Sequence, residues 1–388
     1  MPRYSYYISP YDTPLSPASA VWHEPLPLAR PSSDLTTEVC VSHGEYFEAV
    51  RSFFDQDNSQ MFCNVLAQPL QQKVLPGNII EIRIHLEKHG EFYHPARIIA
   101  DVLGHQVYFV LNVAVSKPGK KHVTGEFHNL KRLNTEFDES FLPRVYSRGK
   151  TVTSSGIEFY MFLGEWFQGY HEFHISRRSS GGQRQVCVWD DQKGRYFLSR
   201  EQSLRLYRWA ARIMTGYYNI LTFEHISPWH HAAGDFIVRL DKNNIDLKLI
   251  TVRGYAPLFQ DLSGLASDTG RAEQILQALL IFFLKLSIWM RLDRVDGVGE
   301  LVWSEPGVVQ STVAGIFEGL AQKPFAPMLP DAVDICFKYY LSICTSEDLL
   351  ELTKSILQRI HPATPEFPLI KQNLVEHVEM LYQSINKL

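Results

Sequence analysis

The chain has 388 residues, 45% hydrophobic, 21% charged and 12% aromatic. That usage excludes a collagen, a coiled coil or a disordered tail protein. The formal net charge of −4 excludes a general nucleic-acid footprint, which needs a strong basic excess. The length allows about two to three domains. Five widely spaced cysteines with no CxxC pair predict neither a disulfide framework nor a structural zinc site, and a reducing cytoplasm follows as the expected location.

Residues 1–44 read as an extended, proline-rich arm. Seven of the 21 prolines fall within residues 1–34, too dense for helix or central strand. Tyr4, Tyr6, Tyr7 and Tyr11 are the side chains that would dock it. Arg3 has no apolar run behind it, so no signal peptide is predicted. Residues 45–163 read as a small lobe. It opens on a helical prelude, with Phe47, Val50, Phe53 and Phe54 at helical spacing. Ile80, Ile82, Ile84 and Leu86 then alternate with Glu81, Arg83 and His85, a half-buried strand. Ala96–Val102 and Val107–Val115 complete an antiparallel meander. A helix follows, striped by Phe127, Leu130, Leu133 and Phe137. Leu142–Tyr146 and Ile157–Leu163 are two more strands.

Residues 164–388 read as a mainly helical lobe with one β-hairpin. Ser199 with Gln202 is a capping-box pair opening a helix through Leu206, Trp209, Ile213 and Tyr217. Phe236–Leu240 and Leu247–Val252 form the hairpin. Helices are expected near 271–291, 308–322, 331–344, 346–360 and 369–386, the fourth capped by Thr345 and Asp348. Leu276–Met290 is apolar over about 15 residues and carries Lys285, while a span needs roughly 20, so it reads as a buried core helix and no membrane span is predicted.

The chain is thus expected to be α+β and two-lobed: three strands, a helix, two strands, a connector, a long helix, a polar loop, a hairpin, then helices. This order resembles the protein kinase-like superfamily, especially its aminoglycoside- and choline-type phosphotransferases and bacterial lipopolysaccharide kinases, over roughly residues 78–345. Phe109-Val-Leu-Asn-Val113 is similar to the third strand, where the family carries a phosphate-binding lysine. Gly125–Leu130 is similar to the start of the next helix, and the resemblance implies that Glu126 pairs that lysine. Met161–Gly169 is similar to the adenine-holding hinge, with Glu165 and Trp166. Trp229-His-His-Ala-Ala-Gly-Asp235 is similar to the catalytic loop, implying Asp235 as general base, with His230 and His231 beside it. Leu249-Ile-Thr-Val-Arg253 lies where the family's metal-binding aspartate sits.

The pattern departs from the family where the chemistry is concentrated. Asn112 stands at the lysine, Thr251 at the metal aspartate, and a strand begins directly after Asp235, where the metal-binding asparagine would lie. No glycine-rich loop joins the first two strands. Phosphoryl transfer relies on positioning and on lysine and metal charge. The sequence therefore predicts a pseudokinase-like protein that binds a small molecule or a protein partner in the cleft between the lobes. Asn112, Glu126, Glu165, Trp166, Thr251 and Arg253 would supply binding groups. The alternative is a divergent small-molecule phosphotransferase using Asp235 as base, with ATP and magnesium as cofactors only in that case.

A second alternative is a histidine-rich metal-dependent enzyme, because His225, His230 and His231 lie near Glu224 and Asp235, and His171 and His174 add imidazoles. That spacing fits no standard metal signature, and no metal ligands are assigned. Each residue also has a plainer reading. Glu126 suits a surface ion pair, Asp235 a turn, and Asn112 a structural hydrogen bond in an apolar strand.

Overall fold

The structure is a computed structural model, and it describes residues 2–27, 40–90, 92–178, 182, 184–190, 192–229, 234–241, 244–258 and 268–388. The chain is mixed α+β, with an N-terminal sheet and a helical C-terminal region. It divides into two compact units: Met1–Glu136 with Pro143–Gln168, and Phe137–Leu142 with Gly169–Leu388.

The first unit is built on one six-stranded sheet. Its elements are strand β1 (Arg3–Ile8), helices α1 (His43–Asp55) and α2 (Gln60–Leu70), and strands β2 (Ile79–Leu86), β3 (Ala96–Val102) and β4 (His105–Ala114). Helix α3 (Lys117–Glu136) and strands β5 (Val145–Val152) and β6 (Glu158–Glu165) complete it. The spatial order is β1-β2-β3-β4-β6-β5. The meander and the helix after it stand where the alternation and the 3.6-residue period put them. The extended, proline-rich arm docks on the body, and its first residues are an edge strand of the sheet. Arg3–Ile8 is a sheet strand, paired in parallel with β2 from Arg3↔Glu81 to Ile8↔Leu86. Tyr6 packs on Trp22 and Phe47 with ring centroids 5.2 Å apart, Tyr7 stacks on His85, and the Tyr4 hydroxyl donates to Asp55. Tyr11 is 71% exposed and docks nothing.

The two sheet faces are covered differently. Phe109, Leu111 and Val113 of β4 and Phe159, Met161 and Leu163 of β6 join the α1 and α2 side chains Phe47, Val50, Phe54, Phe62 and Leu66 in one core. Phe162, between two of these, meets Phe127 of α3. Successive side chains alternate across a strand, so α3 lies on the opposite face. Ile80 breaks the alternation read in β2. The register slips between Ile79 and Glu81, and the extra residue leaves Ile80 65% exposed. Helix α1 carries a capping box, Ser42 with Glu45, that the sequence reading passed over.

The second unit differs most from expectation. The stretch read as a connector forms three strands, β7 (His171–Arg177), β8 (Arg184–Asp190) and β9 (Gly194–Phe197). After helix α4 (Arg200–Gly216) and strand β10 (Glu224–Ile226) come β11 (Phe236–Asp241) and β12 (Asn244–Leu249), then β13 (Tyr255–Pro257). The expected hairpin β11–β12 is one edge of a five-stranded sheet ordered β12-β11-β7-β8-β9. The predicted connector is therefore corrected to a meander. Phe173 and Ile175 alternate with Glu172, His174 and Ser176 as a strand requires, so the signal was present in the sequence, although both faces are buried from Phe173 to Ser176.

The C-terminal elements are helix α5 (Asp268–Trp289), strands β14 (Leu292–Arg294) and β15 (Leu301–Trp303), and helices α6 (Gly307–Leu320), α7 (Val333–Ser342), α8 (Ser346–Gln358) and α9 (Glu366–Ile385). Both expected capping boxes form, Ser199 with Gln202 and Thr345 with Asp348. Gly270–Trp289 is long and apolar enough to cross a membrane by length and composition. Its side chains Leu279, Phe282, Phe283, Leu284 and Leu286 are buried within the unit.

Helices α4 and α6 run parallel at very close range. A side chain at Gly315 would strike the Arg208 carbonyl and one at Gly319 Thr215, while one at Gly307 would meet the Arg200 guanidinium and lie tight against Leu204. Contacts that advance together along both helices fix the parallel direction. Glycine at 315 and 319 is a packing requirement. Gly315→Val is expected to destabilise the protein by about 1–3 kcal/mol or more through overpacking. Urea unfolding checks this, and an unchanged midpoint would contradict the close approach.

Candidate functional site

In the first unit, Asn112 pairs with Phe162 in the sheet register, so it shares the face that α3 covers. It is half-buried. Glu126 projects from α3 with 2% exposure and accepts a hydrogen bond from the Tyr93 hydroxyl. A surface ion pair is thus replaced by a buried carboxylate held by a phenol. Tyr93 lies in the loop before β3, and no spacing rule could have paired it with a helix 33 residues on. Glu165 ends β6. Its carboxylate accepts from the Arg144 backbone N–H at 3.2 Å and faces the Arg144 guanidinium at 3.5 Å. Trp166 receives the Arg97 guanidinium 5.7 Å from its ring centroid, and Arg97 in turn pairs with Glu87 at 2.7 Å. Both hinge residues are engaged with neighbours inside their own unit.

In the second unit, the decisive geometry is the Asp235–Arg253 pair. Asp235 immediately precedes β11 and is 1% exposed. Arg253 Nη1 donates to Asp235 Oδ2 at 2.6 Å and Nη2 to Oδ1 at 2.6 Å, a bidentate fork. The segment carrying Arg253 is fastened by main-chain bonds: Ile250 N–H to Asp235 O at 2.8 Å and Ser227 N–H to Gly254 O at 3.0 Å. Gly254 must be glycine, since a Cβ there would lie 2.5 Å from the Ser227 carbonyl. Thr251 is half-buried two residues before Arg253. An accessible Asp235 carboxylate, which a base at an open pocket requires, is not what forms. The sequence placed Asp235 and Arg253 in one region, but nothing in it signalled that the guanidinium closes on the carboxylate.

His230 and His231 lie outside the described residues. The other histidines of interest are spent locally. His171 faces Asp190 at 3.4 Å, and His174 lies 3.4 Å from Glu172 with its ring against Trp189. His225 sits between the Ala256 carbonyl at 3.1 Å and Lys285 Nζ at 3.2 Å. Burial, then the Lys285 charge, push its pKa down to about 4. Among the described residues, no group of three or more His, Cys, Asp or Glu side chains is arranged to hold a metal ion.

A histidine cluster that the sequence reading missed lies in the first unit. His89 Nδ1 and His94 Nδ1 are 3.1 Å apart, and His43 meets His89 edge to face. Two ring nitrogens at that distance share one proton, so at least one imidazole is neutral. Burial, then the His89 and His43 charges, push the His94 pKa down to about 4.

No protein-family model matches the chain, and no curated protein matches it. Among solved structures, one described as WaaP in complex with acyl carrier protein is similar at 8% identity with a TM-score of 0.30. The match covers 68% of this chain and 83% of that one.

Two outcomes follow from these geometries. Arg253→Ala deprives the buried Asp235 carboxylate of its guanidinium fork, and is expected to cost about 3–5 kcal/mol in urea unfolding. The joint change Arg253→Met with Asp235→Leu should recover most of that loss. A single-variant loss under about 1 kcal/mol would contradict the buried pair. The second outcome concerns pH. His94 is neutral when folded and titrates near its ordinary value when unfolded, so acid favours the unfolded chain. Its contribution is complete above about pH 6.5 and is lost as pH falls towards 4. Between pH 7.5 and 5 this one group accounts for about 2 kcal/mol. His94→Gln should flatten the dependence of the melting temperature on pH, and an identical slope would count against it.

Proposed function

We propose that this chain is a kinase-like protein that binds a ligand or a protein partner and does not perform ordinary phosphoryl transfer. The kinase-like reading is supported by β2, β3 and β4 in meander, then α3 packed on β4, β5 and β6, followed by a unit with the long helices. Within that arrangement Asn112 and α3 share one sheet face, as the phosphate-binding lysine and its glutamate partner would.

The observation that carries the rest is the state of Asp235. A general base needs a carboxylate oxygen within about 2.6–3.2 Å of the proton it removes. Both Asp235 oxygens are taken by Arg253, and the side chain is excluded from solvent. The same region lacks anionic metal ligands at the positions the resemblance implies, since Thr251 carries a neutral hydroxyl. Asn112 supplies no positive charge for phosphates. Glu126 is buried on Tyr93, so it too is compensated without a lysine from the strand. At these described positions, charges that would act on ATP and magnesium are absent or already neutralised within the fold.

The divergent-phosphotransferase reading demands that Arg253 release Asp235. A thermal-shift titration with Mg-ATP, run beside an assay for ADP release, separates the two. At a ligand concentration one tenth of Kd, binding stabilises by only ~0.06 kcal/mol, which moves no melting curve. We expect no shift at millimolar Mg-ATP and no ADP. A magnesium-dependent shift of several degrees, with ADP formation abolished in Asp235→Asn, would overturn the proposal in favour of a working phosphotransferase.

A further inference from the structure

The loop that joins β2 to β3 is fastened at several points. Glu87 N–H donates to the Pro95 carbonyl at 3.0 Å, and Gly90 N–H to the Tyr93 carbonyl at 2.9 Å. His94 is held on both sides of its Cα. Its N–H donates to the Val113 carbonyl at 2.8 Å, and its own carbonyl accepts from the Tyr46 hydroxyl at 2.8 Å. His94 is buried at 5% exposure, while His89 in the same loop is exposed to solvent. A ring fixed by its surroundings, with an open partner beside it, is a preorganised pair.

The spacing of the two rings matches chelation of a single ion. His89 Nδ1 and His94 Nδ1 lie 3.1 Å apart. Two imidazole nitrogens bound at about 2.0–2.1 Å to one tetrahedral ion sit about 3.3–3.4 Å apart. At the right angle of a square-planar or octahedral ion the separation is about 2.8–3.0 Å. The observed distance falls between the two. The ring centroids agree with it. Rings on one tetrahedral ion have centroids about 5.2 Å apart, and those of His89 and His94 are 5.3 Å apart. His43 stands 6.3 Å from His89, too far for a third ligand, and its Nδ1 lies on the Glu24 carbonyl at 3.0 Å. Two protein ligands are therefore in place, in keeping with the lack of any three-ligand group among the described residues.

We propose that His89 and His94 form a two-histidine site for a divalent cation of the zinc, nickel and copper class, completed by water. Each ring supplies its Nδ1 lone pair. The proton that now bridges the two Nδ1 atoms moves to Nε2 of the ring that carries it, so both imidazoles stay neutral and no proton is released. Hard cations such as magnesium, which take oxygen ligands, are not held. The ion replaces one hydrogen bond with two coordinate bonds and clamps the loop from its exposed side. This site lies wholly in the first unit and uses none of Asn112, Glu126 or Asp235, so it stands apart from the kinase-like reading.

The test is calorimetry on the full chain with zinc, nickel and magnesium chlorides in a non-chelating buffer, with ring nitrogen-15 NMR to locate the zinc. One equivalent of zinc or nickel is expected to bind in the micromolar range, with no heat from magnesium. The Nδ1 resonances of His89 and His94 should move most on saturation with zinc. His89→Gln and His94→Gln should each weaken zinc binding about tenfold or more. His94→Gln removes a buried ring, and should it fail to fold, the exposed His89→Gln still decides the matter. The proposal is overturned if zinc and nickel fail to bind at millimolar concentration, if magnesium binds as well as zinc, or if binding is unchanged in His89→Gln, which would put the ion on other side chains.

Discussion

A carboxylate taken out of water must be compensated where it lies, and this constraint organises the polar interior of the protein. Four acidic side chains are buried among the described residues: Glu126, Asp190, Asp235 and Asp293. Each meets the constraint by different means. Asp235 takes a guanidinium fork. Glu126 takes a phenol hydroxyl. Burial raises the Asp190 pKa, and the backbone N–H groups of Lys193 and Gln192 with the nearby His171 outweigh it, so the net shift is downward. Asp293 has too little compensation for its burial, and its pKa is pushed up to about 8, so it is mostly protonated at neutral pH. Groups neutralised in these ways hold structure together and are poor instruments for acting on a charged substrate.

The second unit also holds a cavity of about 240 Å³ beside the contact between α4 and α6. Glycines at 315 and 319 let α6 settle against α4 with no side chain intervening. Parallel helices at that distance bring their first turns side by side, and the strands β8 and β15 supply the remaining walls of the space next to them. The meander β7–β9 is therefore more than filler before the helices. It brings Val186 and Leu198 to the cavity wall and gives the hairpin β11–β12 a strand to pair with.

Elements with strong local signals were legible in the sequence. The alternation of β2, the stripe of α3, two capping boxes and the five C-terminal helices could each be read from residues within one or two turns of one another. Features that depend on distant partners could not. Arg3–Ile8 looked like a proline-rich arm because its strand partner is 78 residues away. The meander, by contrast, was legible in the alternation of Phe173 and Ile175 with His174 and Ser176, a strand signal of only five residues that the reading as a connector passed over. The candidate site was legible as a set of positions but not as a chemical state. Asp235 and Arg253 were both singled out, yet whether a guanidinium points at a carboxylate or away from it is decided by the bonds that fix Gly254 and Ile250. Tyr93 left no mark at all, because a loop tyrosine has no preferred spacing from a helical glutamate.

The pairing of Arg3–Ile8 with β2 has a kinetic meaning as well. Closing a loop of 78 residues costs about 4 kcal/mol of chain entropy beyond a constant, whereas β2, β3 and β4 meet their neighbours through short turns. The outermost strand of the sheet is thus the one with the highest contact order, and the rest of the sheet can assemble before it arrives. Until then the edge of β2 is an open template of unpaired N–H and C=O groups, available to any extended segment of another chain. During synthesis, when this N-terminal strand emerges long before β2 exists, the order of appearance and the order of docking are reversed, and the six residues that complete the sheet are also the ones that cover the open edge of β2.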